Sequence, residues 1–183
     1  MANEAENVGG RRGIPWRIVG WGTAALLLLL PLIANAPWTA SDYVFAAVLL
    51  GSVGLAFELI VRKSSSLAYR FGAALAVVAA FLTVWVNGAV GMIGSEDNPF
   101  NLLFGGVLLV ALMGAIVARF ESVGMARATA VAAAAQGVVS AFGLSTDARG
   151  AVFSMAFAVP WLLAAALFQN AAREQAGANE TKA

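Results

Sequence analysis

The sequence predicts an all-α fold, a polytopic transmembrane bundle of six helices joined by short loops. Three observations predict it. Of 183 residues, 61% are apolar and only 11% charged, against about 25% charged in soluble domains. Six apolar runs approach the roughly 20 residues needed to cross a hydrocarbon core of about 30 Å. Ten of the 11 Lys and Arg residues fall on one side of those runs. So little charge cannot cover a globular surface in water, which excludes a soluble enzyme, a disordered chain and a nucleic-acid binder.

The first span is expected at about 17–36, Leu-rich and interrupted by Pro31. Arg11-Arg12, the Leu run and Ala34-Asn35-Ala36 imitate a secretory signal. The stretch is long enough to span, and Pro37 impedes cleavage at that place, so a span is the reading adopted. The second span, about 42–61, opens on Thr39-Ala40-Ser41-Asp42, a capping arrangement, and closes on Arg62-Lys63. The third runs over about 70–93. The fourth, about 100–118, follows Asn98-Pro99, an N-cap and N1 proline. The fifth, about 125–144, is Ala-rich and carries Gln136, so it inserts more weakly than the Leu-rich first span. The sixth, about 151–169, is preceded by Ser145 or Thr146 as cap and carries Pro160, which removes a backbone bond and kinks its helix. Residues 17–169 form one transmembrane domain in this reading, with flexible cytoplasmic tails at 1–16 and 170–183.

Charge fixes the orientation. Arg11, Arg12, Arg17, Arg62, Lys63, Arg70, Arg119, Arg127, Arg173 and Lys182 lie on one side and Arg149 alone on the other. The positive-inside rule places both termini in the cytoplasm. The opposite loops hold Asp42, Glu96, Asp97 and Asp147, carboxylates that suit helix N-termini. Trp16, Trp21, Trp38, Tyr43 and Tyr69 fall at the expected interfaces.

Between helices in lipid, association relies on close packing, so small residues mark contact stripes. One stripe is Ala47, Gly51, Gly54 and Glu58; another is Ala73, Ala76, Ala80, Thr83, Asn87, Gly91 and Gly94; a third is Gly124, Ala128, Ala132, Gln136 and Ser140. Each contains the most polar intramembrane residue of its helix. Glu58, Asn87 and Gln136 are therefore the candidate interior groups, Glu58 near the cytoplasmic edge and Gln136 near the midplane, about 14 Å from Arg127. Two roles fit them: interhelical hydrogen-bond glue, with Glu58 paired to Arg62 one turn on, or a route for a proton, cation or small solute. The outer turn groups Glu96, Asp97, Asn98 and Asn101. Helix capping explains most of that cluster, and an oxygen site for Ca²⁺ or Mg²⁺ is its alternative.

With no His and no Cys, thiolate and imidazole chemistry is absent. No phosphate-binding loop, nucleophile elbow or metalloprotease motif occurs, so no enzyme, metal or cofactor is expected. The expected partners are the lipid bilayer and a second copy of the chain or a larger membrane complex, with no nucleic acid. The run Trp85-Val86-Asn87-Gly88-Ala89-Val90-Gly91-Met92-Ile93-Gly94-Ser95-Glu96-Asp97-Asn98-Pro99, with Trp38-Thr39-Ala40-Ser41-Asp42 and Gly124-Met125-Ala126, resembles a group of small uncharacterised bacterial multi-pass inner-membrane proteins. The resemblance implies size and localisation and carries over no site residue. The expected role is a structural or accessory membrane component; the alternative is a small transporter or channel.

Overall fold

A computed structural model describes residues 16–181, without the side chains of Trp16, Arg17 and Val61. The expected N-terminal tail, Arg11, Arg12 and Lys182 lie outside the described residues. The chain is helical: α1 (Trp16–Ile33), α2 (Ala40–Lys63), α3 (Leu67–Ala89), α4 (Leu102–Val117), α5 (Ser122–Gly143), α6 (Ala148–Met155) and α7 (Ala158–Glu180). A 3₁₀ turn, Pro99–Asn101, leads into α4. Among the described residues, five helical segments are long and apolar enough to cross a membrane, α6 and α7 together forming one of them; α1 is shorter, with an apolar part over Ile18–Ile33. The fold is an all-α helical bundle.

Contacts divide the chain into two units, residues 1–54 and 55–183. In the first, α1 ends earlier than its apolar run. Asn35 takes a left-handed φ of 49°, and the Ala36 N–H reaches back to the Pro31 carbonyl at 2.8 Å while Asn35 N–H bonds Leu32. This is the Schellman ending, with asparagine where glycine is usual. Helix α2 then starts on a reciprocal cap: the Thr39 N–H donates to Asp42 Oδ2 at 2.7 Å, and the Asp42 N–H donates to Thr39 Oγ1. Gly54 leaves room for the Trp21 ring, since a Cβ there would sit 2.9 Å from it. The expected stripe of α2 is only partly covered; Ala47 is exposed and Gly51 half-buried, whereas Ala46 is buried.

The second unit is organised around α5 and α7. Helix α5 packs on α4, α6 and α7, and α7 packs on α3. Ala128, Ala132, Gln136 and Ser140, four of the five stripe residues expected on α5, are buried. The least hydropathic helix therefore lies at the centre, where protein replaces lipid around it and strong hydropathy is not required. Gly114 of α4 admits Ala128 closely, because a Cβ at Gly114 would lie 2.7 Å from that of Ala128. On α3 the covered face is Tyr69, Gly72, Ala73, Ala79 and Thr83. It overlaps the expected stripe at Ala73 and Thr83, while Ala76 and Ala80 are half-buried.

Three details differ from the sequence expectation. Tyr69 is not an interfacial anchor: it is 3% exposed, its hydroxyl donates to the Phe120 carbonyl at 2.7 Å, and its ring meets Phe168 edge-on. The cap of α6 is Asp147 rather than Ser145 or Thr146, accepting from the Arg149 and Gly150 N–H groups. Helix α7 runs on to Glu180, where a tail beginning at 170 was expected. Nothing in Ala171–Glu180 breaks a helix, and Ala171 is still buried.

Candidate functional site

Pro160 lies inside the sixth span, and its ring can neither donate to the Ala156 carbonyl nor avoid crowding it. The helix breaks one turn before it, between Met155 and Ala158. Tight three-residue bonds replace the regular ladder: Phe157 N–H to the Ser154 carbonyl and Val159 N–H to the Ala156 carbonyl, both 3.1 Å. A break of this kind in an apolar helix must be served by neighbouring groups. Gln136 of α5 does so, its Nε2 donating to the Ser154 carbonyl at 2.8 Å. Ser154 Oγ lies 2.9 Å from Ser140 Oγ and 3.0 Å from the Ala151 carbonyl, so its one proton is divided between two acceptors. Gln136, Ser140 and Ser154 are all fully buried. Two atoms of this region lack partners, Gln136 Oε1 and the indole Nε1 of Trp161.

At the acidic end of the unit, Asn101 acts as a plug for the loop after α3. Its Oδ1 accepts from the Met92 and Ile93 N–H groups at 3.1 and 2.9 Å, and its Nδ2 donates to the Ser95 carbonyl at 2.8 Å and the Ile93 carbonyl at 3.3 Å. Gly91 makes this possible: its φ is +74°, and a Cβ would lie 2.7 Å from Asn101 Nδ2 and 2.5 Å from the Ser95 oxygen. Asn98 adds a second clamp, accepting from Phe100 N–H and donating to the Ile93 carbonyl, each at 3.0 Å. Asp147 joins this loop to α6, since its Oδ2 accepts from Gly94 N–H at 3.0 Å and its Oδ1 from Gly150 and Arg149 N–H. The Gly150 N–H, then that of Gly94, with smaller contributions from Arg149, hold the Asp147 carboxyl below the usual carboxylate range against partial desolvation.

The seven candidate residues thus fall into separate places. Asn87 is brought to the outer loop, its Nδ2 donating to the Asn101 carbonyl at 3.5 Å, with its own Oδ1 buried and unpartnered. Asn98 and Asn101 stand together, but both amide oxygens face backbone N–H groups. Glu96 and Asp97 are exposed beside them. Glu58 is half-buried at the basic end of α2 and pairs with Arg62 at 3.4 Å. Gln136 bonds α6 instead of either of the other interior groups.

Sequence reasoning did not single out Ser154 or the loop-pinning role of Asp147. Pro160 was the available signal for Ser154, because the carbonyls its break disturbs lie on the preceding turn. No protein-family model, no curated protein and no solved structure matches this chain.

Proposed function

We propose that the chain is a multi-pass protein of the bacterial inner membrane, with both termini in the cytoplasm and a structural or accessory role. The bias of ten basic residues out of 11 toward one side supports the orientation. The observation that carries the role is how the interior polar groups are used. Gln136 serves a helix break, Asn87 a loop carbonyl and Glu58 the next turn of its own helix. Each has a local structural partner, and the hydrogen bonds of the described residues do not link the three.

Such a component is expected to purify in mild detergent as a defined homo-oligomer or with stoichiometric membrane partners, identified by mass spectrometry of the solubilised complex. A monodisperse monomer without partners would overturn the accessory role. The second reading, a small transporter or channel for a proton, cation or small solute, draws on the buried unpartnered oxygens of Asn87 and Gln136. It requires flux that depends on those side chains.

A further inference from the structure

At the basic end of the second unit, a cavity of about 210 Å³ is lined by Lys63, Ser64, Tyr69, Phe120, Glu121, Ser122, Val123 and Gln175. Four segments converge there: the end of α2, the start of α3, the α4–α5 turn with the first residues of α5, and the late turns of α7. The turn is held in a strained form. Arg119 and Phe120 both adopt left-handed φ, 49° and 58°, a conformation unfavourable for an arginine and more so for a bulky aromatic. The Tyr69 hydroxyl pins the second of them through its carbonyl. Strain of this sort persists where the surroundings enforce it and collects at binding sites.

On the cavity wall the Tyr69 hydroxyl and Ser64 Oγ are engaged, but several other polar groups are not. Glu121 precedes α5 without capping it by its side chain, so the first-turn N–H groups at Ser122 and Val123 lack a side-chain acceptor and favour an anion. Ser122 is 3% exposed, yet its hydroxyl has no hydrogen-bond partner. Among the described residues, the side chains of Lys63, Glu121 and Gln175 have none either. A cation, a hydroxyl and a helix N-terminus thus share the wall with a carboxylate and an amide. Such a wall suits a ligand carrying both signs of charge.

The cavity also lies at a defined level. Lys63 comes three residues after the apolar segment Ala40–Ile60, and Ser122 is the first residue of the segment Ser122–Gly143. That is where phospholipid headgroups meet a spanning protein.

We propose that this cavity binds a phosphate–amine zwitterion of the phosphoethanolamine type. Its phosphate is held by Lys63, the Ser122 hydroxyl and the α5 N-terminus, and its primary ammonium by Glu121. The proposal rests on the membrane reading above only for the source of the ligand, a lipid headgroup in place of a free metabolite.

The test uses the full chain in mild detergent, with lipid retention followed by native mass spectrometry and stabilisation followed by thermal unfolding. Phosphatidylethanolamine, phosphatidylcholine and phosphatidylglycerol are compared, and soluble O-phosphoethanolamine forms a separate arm. Phosphatidylethanolamine is expected to be retained in preference to the other two. Lys63→Gln and Glu121→Gln should each weaken it by about tenfold, the effect of one charge-assisted hydrogen bond, whereas Glu121→Gln should not weaken phosphatidylglycerol. Stabilisation by O-phosphoethanolamine without lipid retention supports the same site with a soluble ligand. Equal retention of all three lipids with no response to O-phosphoethanolamine overturns the proposal, as does indifference of phosphatidylethanolamine binding to Glu121→Gln. The comparison of primary with trimethylated amine needs no variant, so it decides the matter even if a substitution disturbs folding. Membrane extraction of the parent chain is scored separately, so loss of the membrane reading is distinguishable from loss of headgroup selectivity.

Discussion

Replacing Gln136 by leucine is expected to leave the bundle within about 1 kcal/mol of its parent stability, although it removes a fully buried hydrogen bond. The lost bond, Nε2 to the Ser154 carbonyl at 2.8 Å, is an interhelical bond in a membrane protein, worth about 0.6 kcal/mol and at most roughly 1.7. The Ser154 carbonyl is not orphaned, because Phe157 N–H still donates to it at 3.1 Å. Against the loss stands the removal of Oε1, a buried acceptor without a partner, whose burial costs about 1–3 kcal/mol. Leucine has a similar length and fills the space among the small residues of α5. Gln136→Ala removes the same bond and also leaves a void, which raises the cost to about 2–4 kcal/mol. Reversible unfolding in mixed detergent micelles, monitored by tryptophan fluorescence, measures both. If Gln136→Leu loses as much as Gln136→Ala, the amide oxygen is engaged and the reasoning fails.

Asn101→Leu should destabilise the outer loop by about 3 kcal/mol or more, since it strands the Met92 and Ile93 N–H groups in a buried site; the same unfolding assay and amide exchange at Ile93 check it. Gly91→Ala should be similarly damaging, because a side chain is strained at φ +74° and its Cβ would lie 2.5 Å from the Ser95 oxygen; normal stability in this variant would contradict the described loop. The carboxyl of Asp147 is depressed in the folded state, so the unfolded chain binds the proton more readily. Its contribution is therefore complete above about pH 4, the unfolded carboxylate value, and is lost as pH falls through the lower folded value. Asp147→Asn should lessen that acid dependence, read as the difference between parent and variant melting temperatures across pH 2–5, and an unchanged difference would count against the Gly94 and Gly150 bonds. Tyr69→Phe frees the Phe120 carbonyl and should cost about 1 kcal/mol in the same assay.

How much of this was legible in the sequence depends on whether a feature is local. The stripe Ala128, Ala132, Gln136 and Ser140 could be read because a helix repeats its face every three to four residues, and those residues are buried. The corresponding stripe on α2 could not be relied on: small residues permit a close neighbour without supplying one, and Ala47 is exposed. Pro160 announced a break, and hydrogen-bond geometry places it one turn earlier, at Ala156–Phe157. Asn98 was legible as a cap because its partner lies two residues on. Asn101 was grouped with it for its oxygen, but its real partners lie six to nine residues back, around two left-handed glycines. No periodicity encodes that arrangement. The cavity at the basic end depends on four segments distant in sequence, so composition and spacing could not reveal it.

The central claim is that the polar groups within the apolar helices are used by local structural partners and do not conduct. Proton and monovalent-cation flux into liposomes carrying the purified chain tests it most directly, with the parent compared against Glu58→Gln, Asn87→Leu and Gln136→Leu. The account predicts flux at the leak rate of protein-free liposomes for the parent and for all three variants. Flux above that rate in the parent, abolished by any of the substitutions in a chain that still folds, would contradict it.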